Sequence, residues 1–255
     1  MTPSNLNRPR IGLPWRTSQE EASGSRPKLE NYERAIREAG ADAVVLSLAD
    51  PAGLERALPG LDGFVLPGSP ADVEPAEYNH QRSSLSAEAD LPRERTDRAI
   101  LDHAFAEKKP VLAICYGCQM LNVYRGGTLI QDLWAETGTR TAHRKKDLQP
   151  EPASDPRHAL RMEPGSRVAG VAGSGRGEVN SSHHQAVEEA GRGLEVTSRA
   201  SDGTVESVEW TGDANWVVGV QWHPERMPGE RLGDGMFREL VAAARTAKGI
   251  PATKA

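Results

Sequence analysis

The chain is poor in several things. Only two of its 255 residues are cysteine. That is too few for a disulfide framework to staple a secreted fold of this size, so a cysteine here belongs to chemistry or to the core. Basic residues are in deficit: 31 Lys and Arg stand against 36 Asp and Glu, a net charge of −5. This excludes the basic excess by which most nucleic-acid binders hold phosphate. Aromatic residues make up 5% of the chain, and no apolar run approaches a membrane helix, which needs roughly 18 residues. Met1 to Arg10 is polar and lacks the apolar core of a signal peptide. The expectation is a cytoplasmic protein that partners neither nucleic acid nor membrane.

What is present is a globular pattern. Residues are 37% hydrophobic and 26% charged, and several apolar segments are spaced through the chain, which argues against disorder. Ile11 to Pro14 reads as a first strand, followed by a polar loop through Arg26. Lys28 to Ala39 puts Tyr32, Ala35, Ile36 and Ala39 on one helical face, with Gly40 as the stop. Ala43 to Leu48, Gly63 to Leu66 and Val111 to Ile114 are continuous apolar runs, as in strands covered on both faces. Leu54 to Leu58 is a short helix candidate. Residues 71–90 are polar and aperiodic. Thr96 to Lys108 is helical in pattern. This alternation predicts an α/β fold with a mostly parallel sheet and helices on both faces.

The second half changes character. Residues 138–178 are rich in Arg, Gly, Pro and Glu and suggest short antiparallel strands and turns. Glu195 to Thr197 and Val205 to Trp210 alternate, which predicts half-exposed strands. Trp216 to Trp222 is a stronger strand, and a final helix is expected from about Asp234 to Ala247. No repeat or long linker divides the chain. One domain over 1–255 is expected, with ends frayed at about 1–8 and 248–255.

Chemistry in a parallel sheet gathers beyond the carboxyl ends of its strands. Cys115 follows the apolar run Val111 to Ile114, and a helical pattern follows it. At that strand-to-helix turn the positive helix end favours a thiolate. Gln221-Trp222-His223-Pro224-Glu225 also follows an apolar strand. In an extended segment, His223 and Glu225 point the same way. A carboxylate can then hold the imidazole while the imidazole exchanges a proton with a thiol. Leu66-Pro67-Gly68-Ser69 supplies a glycine backbone open to a ligand. Asn180-Ser181-Ser182-His183-His184-Gln185 is a polar cluster of the kind that lines a pocket.

In this order, these segments resemble the class I glutamine amidotransferase superfamily, and within it the γ-glutamyl hydrolase-type cysteine peptidase branch. The resemblance runs from Arg10-Ile11-Gly12 to the last helix and includes Val123 to Leu129. It implies a flavodoxin-like three-layer sandwich with additional antiparallel strands. It also implies Cys115 as nucleophile, His223 as general base and acid, and Glu225 as the orienting carboxylate. The oxyanion hole would be the backbone N–H groups of Tyr116 and Gly68. Gln119, Ser181, Ser182, His183 and His184 would face a small γ-glutamyl substrate. The implied reaction is hydrolysis of a γ-glutamyl amide through a glutamyl thioester, with no metal or organic cofactor. Tyr116 stands where the branch that acts on γ-aminobutyrate conjugates carries Arg. Alternatives are a glutaminase subunit that feeds a separate synthetase and a non-catalytic binding relative. A stand-alone format without an attached synthetase domain is expected, and a homodimer is a reasonable assembly for a sheet protein of this size.

Competing readings weigh less. Cys115-Tyr116-Gly117-Cys118 is formally a redox spacing, but several strand-helix units precede it. Adjacent His183 and His184 point to opposite faces of a strand, so with His223 they do not make a zinc site. His143 and His158 are expected as surface or hydrogen-bonded structure. Gly173 to Gly177 lacks both the preceding strand and the Lys-Ser/Thr ending of a phosphate loop.

Overall fold

In the computed structural model, which describes residues 8–212 and 215–249, the first half winds a parallel sheet. Strands β1 (Arg10–Pro14), β2 (Asp42–Leu46), β3 (Gly63–Leu66) and β4 (Val111–Ile114) alternate with helices α1 (Ser18–Ser23), α2 (Leu29–Glu38), α3 (Pro51–Ala57) and α4 (Leu91–Ala106). Helix α5 (Tyr116–Tyr124) follows β4 directly. Then come β5 (Leu129–Ile130), α6 (Leu133–Thr137), β6 (Arg157–Met162), α7 (Arg167–Ala172), β7 (Arg176–Asn180) and β8 (Ala186–Val187). The chain continues with β9 (Leu194–Ala200), β10 (Val205–Trp210), β11 (Val217–Val220) and α8 (Arg231–Ala247).

Nine strands form one sheet in the order β2-β1-β3-β4-β11-β10-β9-β6-β7, and β5 pairs with β8 separately. Pairing is parallel from β2 to β11 and antiparallel from β11 to β7. The alternation of side chains along the parallel strands creates two cores. Leu112 and Ile114 of β4 join α2, α7 and α8 on one face, while Val111 and Ala113 join α3, α4 and α5 on the other. This is the expected three-layer α/β sandwich with added antiparallel strands.

Several element boundaries differ from expectation. The polar loop after β1 contains α1, because the Thr17 side chain accepts the Glu20 N–H and Gly24, at φ 66°, ends the turn. Helix α4 starts at Leu91, not Thr96: Asp90 accepts the Arg93 N–H at its N-terminus. Its first turns bury Arg93 and Asp97, a pair at 2.8 Å, so their polarity hid the helix from periodicity. Strand β10 was expected half-exposed, yet all but Trp210 is buried. Its polar residues have internal partners. Ser207 bonds Thr197 and Ser198, and Glu209 accepts the N–H groups of Arg167 and Val168 that open α7. The segment 138–178, read as strands and turns, also holds α7.

Of the residues expected to fray, 1–7 and 250–255 lie outside the described ones. Arg8 donates to the Ala41 carbonyl at 2.7 Å, and Lys248 to Asp62 at 2.9 Å. Among the described residues, no helix is long and apolar enough to cross a membrane.

Candidate active site

Three neighbouring parallel strands, β3, β4 and β11, end side by side. Leu66 pairs with Ala113, and Ile114 with Val220. The segments that leave them carry Gly68, Cys115 and His223, so sheet order brings together residues far apart in sequence.

Cys115 sits on a sharp turn between β4 and α5. Its φ is 52° and its ψ −106°, a conformation that costs a non-glycine residue roughly 1–3 kcal/mol. The turn is held from both sides. The Cys115 N–H donates to Val220 O at 2.8 Å, and its carbonyl accepts from Gln119 N at 3.1 Å. Gly117 lets α5 start this close to the sheet, since a Cβ there would lie 2.3 Å from the Leu66 carbonyl oxygen.

The His223 ring contacts a carboxylate on one side and the thiol on the other. Nδ1 lies 2.8 Å from Glu225 Oε1, and both residues are buried. Burial works against a charged imidazole, but the Glu225 carboxylate and the Cys115 sulfur outweigh it and raise His223 to about 9. Burial also works against a charged Glu225. His223 and Arg226 overcome it and hold this carboxyl below its usual range, with Arg226 Nε at 3.2 Å. The His223 backbone is clamped by Asn180, whose Oδ1 accepts the His223 N–H at 2.8 Å and whose Nδ2 donates to its carbonyl at 3.0 Å.

Gly68 packs against both of these residues. A Cβ there would meet His223 Cε1 at 2.8 Å and Cys115 Cβ at 3.5 Å. Its N–H donates to the Tyr32 hydroxyl at 3.1 Å, and its carbonyl accepts from Arg16 Nε at 2.9 Å. Tyr116 is the first residue of α5, where a helix leaves N–H groups without an intrahelical acceptor. Gly68→Ala should push the His223 ring off the thiol. We expect kcat to fall by about 100-fold or more, with an unchanged thermal midpoint; wild-type kcat in this variant would show that His223 has room to move.

The other expected residues are placed as follows. Gln119 is buried and donates to Gln185 O at 3.1 Å and to Gln221 Oε1 at 3.3 Å. Ser181 donates to His143 O at 3.0 Å, and Ser182 is half-buried. His183 bonds the Gln185 carbonyl at 2.9 Å, while His184 lies between Asp72 at 3.1 Å and Asp132 at 3.3 Å. Gln119 Nε2, Ser181 Oγ, His183 Nδ1 and both His184 nitrogens are thus engaged within the protein. Tyr116 turns its ring beneath the Arg93 guanidinium, at 4.9 Å. Cys118 packs on the sheet beside Gly219, and burial drives its thiol far above the ordinary range. Both cysteines are free.

Sequence reading missed the supports. Arg93 is fully buried and donates to the carbonyls of Arg16 at 2.9 Å and Pro67 at 2.7 Å, tying the loops after β1 and β3 together. Nothing in its polar surroundings signals this. Asn180 lay within a noted motif, but its role needs His223 beside it. Arg16 and Tyr32 come from the loop after β1 and from α2.

A thiol on a strained strand-to-helix turn, an imidazole raised by a buried carboxylate, and backbone N–H groups nearby can together carry out acyl transfer from an amide. Residues 11–225 match Peptidase C26, and the chain belongs to this family of hydrolases. It is 33% identical over 244 residues to γ-glutamyl-γ-aminobutyrate hydrolase PuuD of Escherichia coli K12, covering 94% of this chain and 95% of that one. It is 30% identical to protein NtpR of Enterococcus hirae, over 83% of this chain and 87% of that one. In fold it resembles the glutaminase domain of Trypanosoma brucei CTPS with bound acivicin. The TM-score is 0.60 at 14% identity, covering 96% of this chain and 95% of that one.

Proposed function

We propose that this protein hydrolyses the γ-glutamyl amide bond of small γ-glutamyl amines, releasing glutamate and free amine through a thioester on Cys115. The observation that carries the reading is the buried line Cys115, His223, Glu225, at the carboxyl ends of adjacent strands. The proton of the Cys115 thiol passes to His223, which the Glu225 carboxylate and the Cys115 sulfur raise to about 9, so the sulfur attacks without its hydrogen. Cys115 attacks the γ-carbonyl carbon, and the oxyanion is met by the N–H groups of Tyr116 and Gly68. To donate there, the Gly68 N–H turns from the Tyr32 hydroxyl to the substrate oxygen. His223 gives its proton to the leaving amine. It then takes one from the water that cleaves the thioester.

The surroundings suit an anionic substrate. Arg16, Lys28 and Arg226 lie within electrostatic reach of one another. The Lys28 ammonium is held below its usual range by Arg16 first, then by partial burial and Arg226. The α-carboxylate of a glutamyl group would relieve that repulsion. A groove of about 590 Å³ is lined by residues 17–19, 70–71 and 87–92, with Pro70 two residues beyond Gly68, and we assign it to the amine half.

The test is an amine-release panel with γ-glutamyl-γ-aminobutyrate, γ-glutamyl-putrescine, γ-glutamyl-ethanolamine, glutamine and an α-glutamyl peptide. We expect γ-glutamyl amines to turn over faster than glutamine and the α-linked peptide to be rejected. A ligand that lacks one glutamyl anchor leaves a buried partner unpaired, at roughly 1–3 kcal/mol. Faster release from glutamine than from every amine would make the chain a glutaminase. No turnover of any γ-linked compound would remove the hydrolase reading.

A further inference from the structure

The antiparallel half of the sheet carries a second convergence of side chains, separate from the thiol site. His158 comes from β6, Glu206 from β10, His183 from the turn after β7 and His143 from the loop after α6. All four are buried, and one ligand atom from each lies within 4.8 Å of the others. Glu206 Oε1 is 3.2 Å from His158 Nε2, 3.5 Å from His183 Nε2 and 3.7 Å from His143 Nδ1.

The far nitrogen of each ring shows which way its lone pair faces. His183 Nδ1 lies 2.9 Å from the Gln185 carbonyl and His158 Nδ1 lies 3.4 Å from the Ala159 carbonyl. A carbonyl only accepts, so both Nδ1 atoms carry hydrogen, and in a neutral ring Nε2 turns a lone pair inward. His143 Nε2 is 3.0 Å from the Asp202 carboxylate, which leaves its Nδ1 facing Glu206 and, at 3.3 Å, the Ser181 hydroxyl. With neutral rings, the Nε2 lone pairs of His158 and His183 face the Glu206 carboxylate and His143 Nδ1 in a buried region. Glu206 Oε1 sits in ion-pair range of all three rings, but neither Glu206 oxygen nor Nε2 of His158 or His183 makes a well-oriented hydrogen bond. A buried carboxylate among poorly oriented imidazoles is costly and needs a compensating positive charge.

We infer that His143 Nδ1, His158 Nε2, His183 Nε2 and a Glu206 carboxylate oxygen form a four-coordinate site for a divalent transition-metal ion, zinc by the chemistry of the donors. Zinc holds imidazole nitrogen and carboxylate oxygen at about 2.0–2.2 Å, which sets neighbouring tetrahedral ligands about 3.3–3.6 Å apart. The three separations from Glu206 fall in or beside that range. Each histidine also has the outer partner that fixes a metal-binding tautomer: two backbone carbonyls and a carboxylate. Four protein ligands with no open position make a structural site rather than a catalytic one.

The metal would tie the thiol site to the antiparallel strands. The Gln185 carbonyl that accepts from His183 also accepts from Gln119 of the nucleophile helix. Three residues before His183, Asn180 clamps the His223 backbone.

The untagged full chain is assayed for bound metal as purified, then stripped with a chelator and titrated with Co²⁺. We expect one equivalent of zinc or a similar ion before stripping. Co²⁺ should then bind one per chain with the intense visible bands of tetrahedral coordination, and zinc should displace it and raise the melting temperature. Cys115→Ser should bind equally, which excludes the thiol as a ligand. Glu206→Gln, nearly the same in volume, should lose the tetrahedral spectrum, and His183→Asn provides an independent second variant. A wild-type chain that carries no stoichiometric metal and takes up none would overturn the proposal and assign the missing charge to protons on the histidines. An octahedral spectrum, or binding that survives both Glu206→Gln and His183→Asn, would overturn it too.

Discussion

Replacing Cys115 with alanine should reduce γ-glutamyl amide hydrolysis by at least about 10⁴-fold while leaving the fold in place. No other group can take over. Cys118 is buried against Gly219 with its thiol driven far above the ordinary range, and it points into the packing between α5 and the sheet. The variant loses a single sulfur from a buried turn whose backbone bonds to Val220 and Gln119 remain. Circular dichroism and the melting temperature should therefore match wild type. Iodoacetamide should label wild type once, at Cys115, and peptide mapping after labelling checks the site. Turnover retained by Cys115→Ala, or first labelling at Cys118, would remove the thioester from the mechanism.

His223→Ala should cost about 10³–10⁴-fold in kcat, because in the proposed mechanism one side chain would supply both the acid for the leaving amine and the base for the attacking water. Glu225→Gln should cost less, since in the proposed mechanism Glu225 would orient the ring without moving a proton. The two variants separate further by pH. His223 is raised from 6.5 to about 9, so its protonated form persists through neutrality and disappears as pH rises through about 9. Wild-type kcat/KM should fall along that limb, as the leaving amine loses its acid. Glu225 is the strongest of the groups raising His223, so in Glu225→Gln the limb should move to lower pH. The same shift links to stability. The raised group stabilises the fold fully below about 6.5, and that contribution is lost as pH climbs through about 9. A pH–rate profile whose alkaline limb is unmoved by Glu225→Gln would mean that another group sets it.

Much of the site was legible because its signals are local. A buried strand needs consecutive apolar residues, so Val111 to Ile114 and Val217 to Val220 announced themselves, and each ends where a chemically distinctive residue begins. His223 and Glu225 stand two apart, so backbone geometry already aims them alike, and the structure puts them 2.8 Å from each other. The order of the apolar runs likewise determined a parallel α/β sheet with helices on both faces.

Other features depend on neighbours that only folding supplies. Arg93 carries no signal of burial in its sequence neighbourhood, yet it is buried because Asp97 and the carbonyls of Arg16 and Pro67 surround it. Strand β10 alternates polar and apolar residues as a half-exposed strand would, but histidines, hydroxyls and the α7 N-terminus satisfy its polar face inside. His143 and His158, expected as ordinary structural histidines, lie face to face with His183 and Glu206. The sequence by itself determined the apolar strands, the longer amphipathic helices and the candidate reactive residues, since these follow from periodicity and residue type within a few positions. The tertiary structure alone decided that β11 lies beside β4 and that four distant polar side chains share one buried point. Sheet order and the burial of a polar group depend on partners far along the chain, and periodicity carries no information about them.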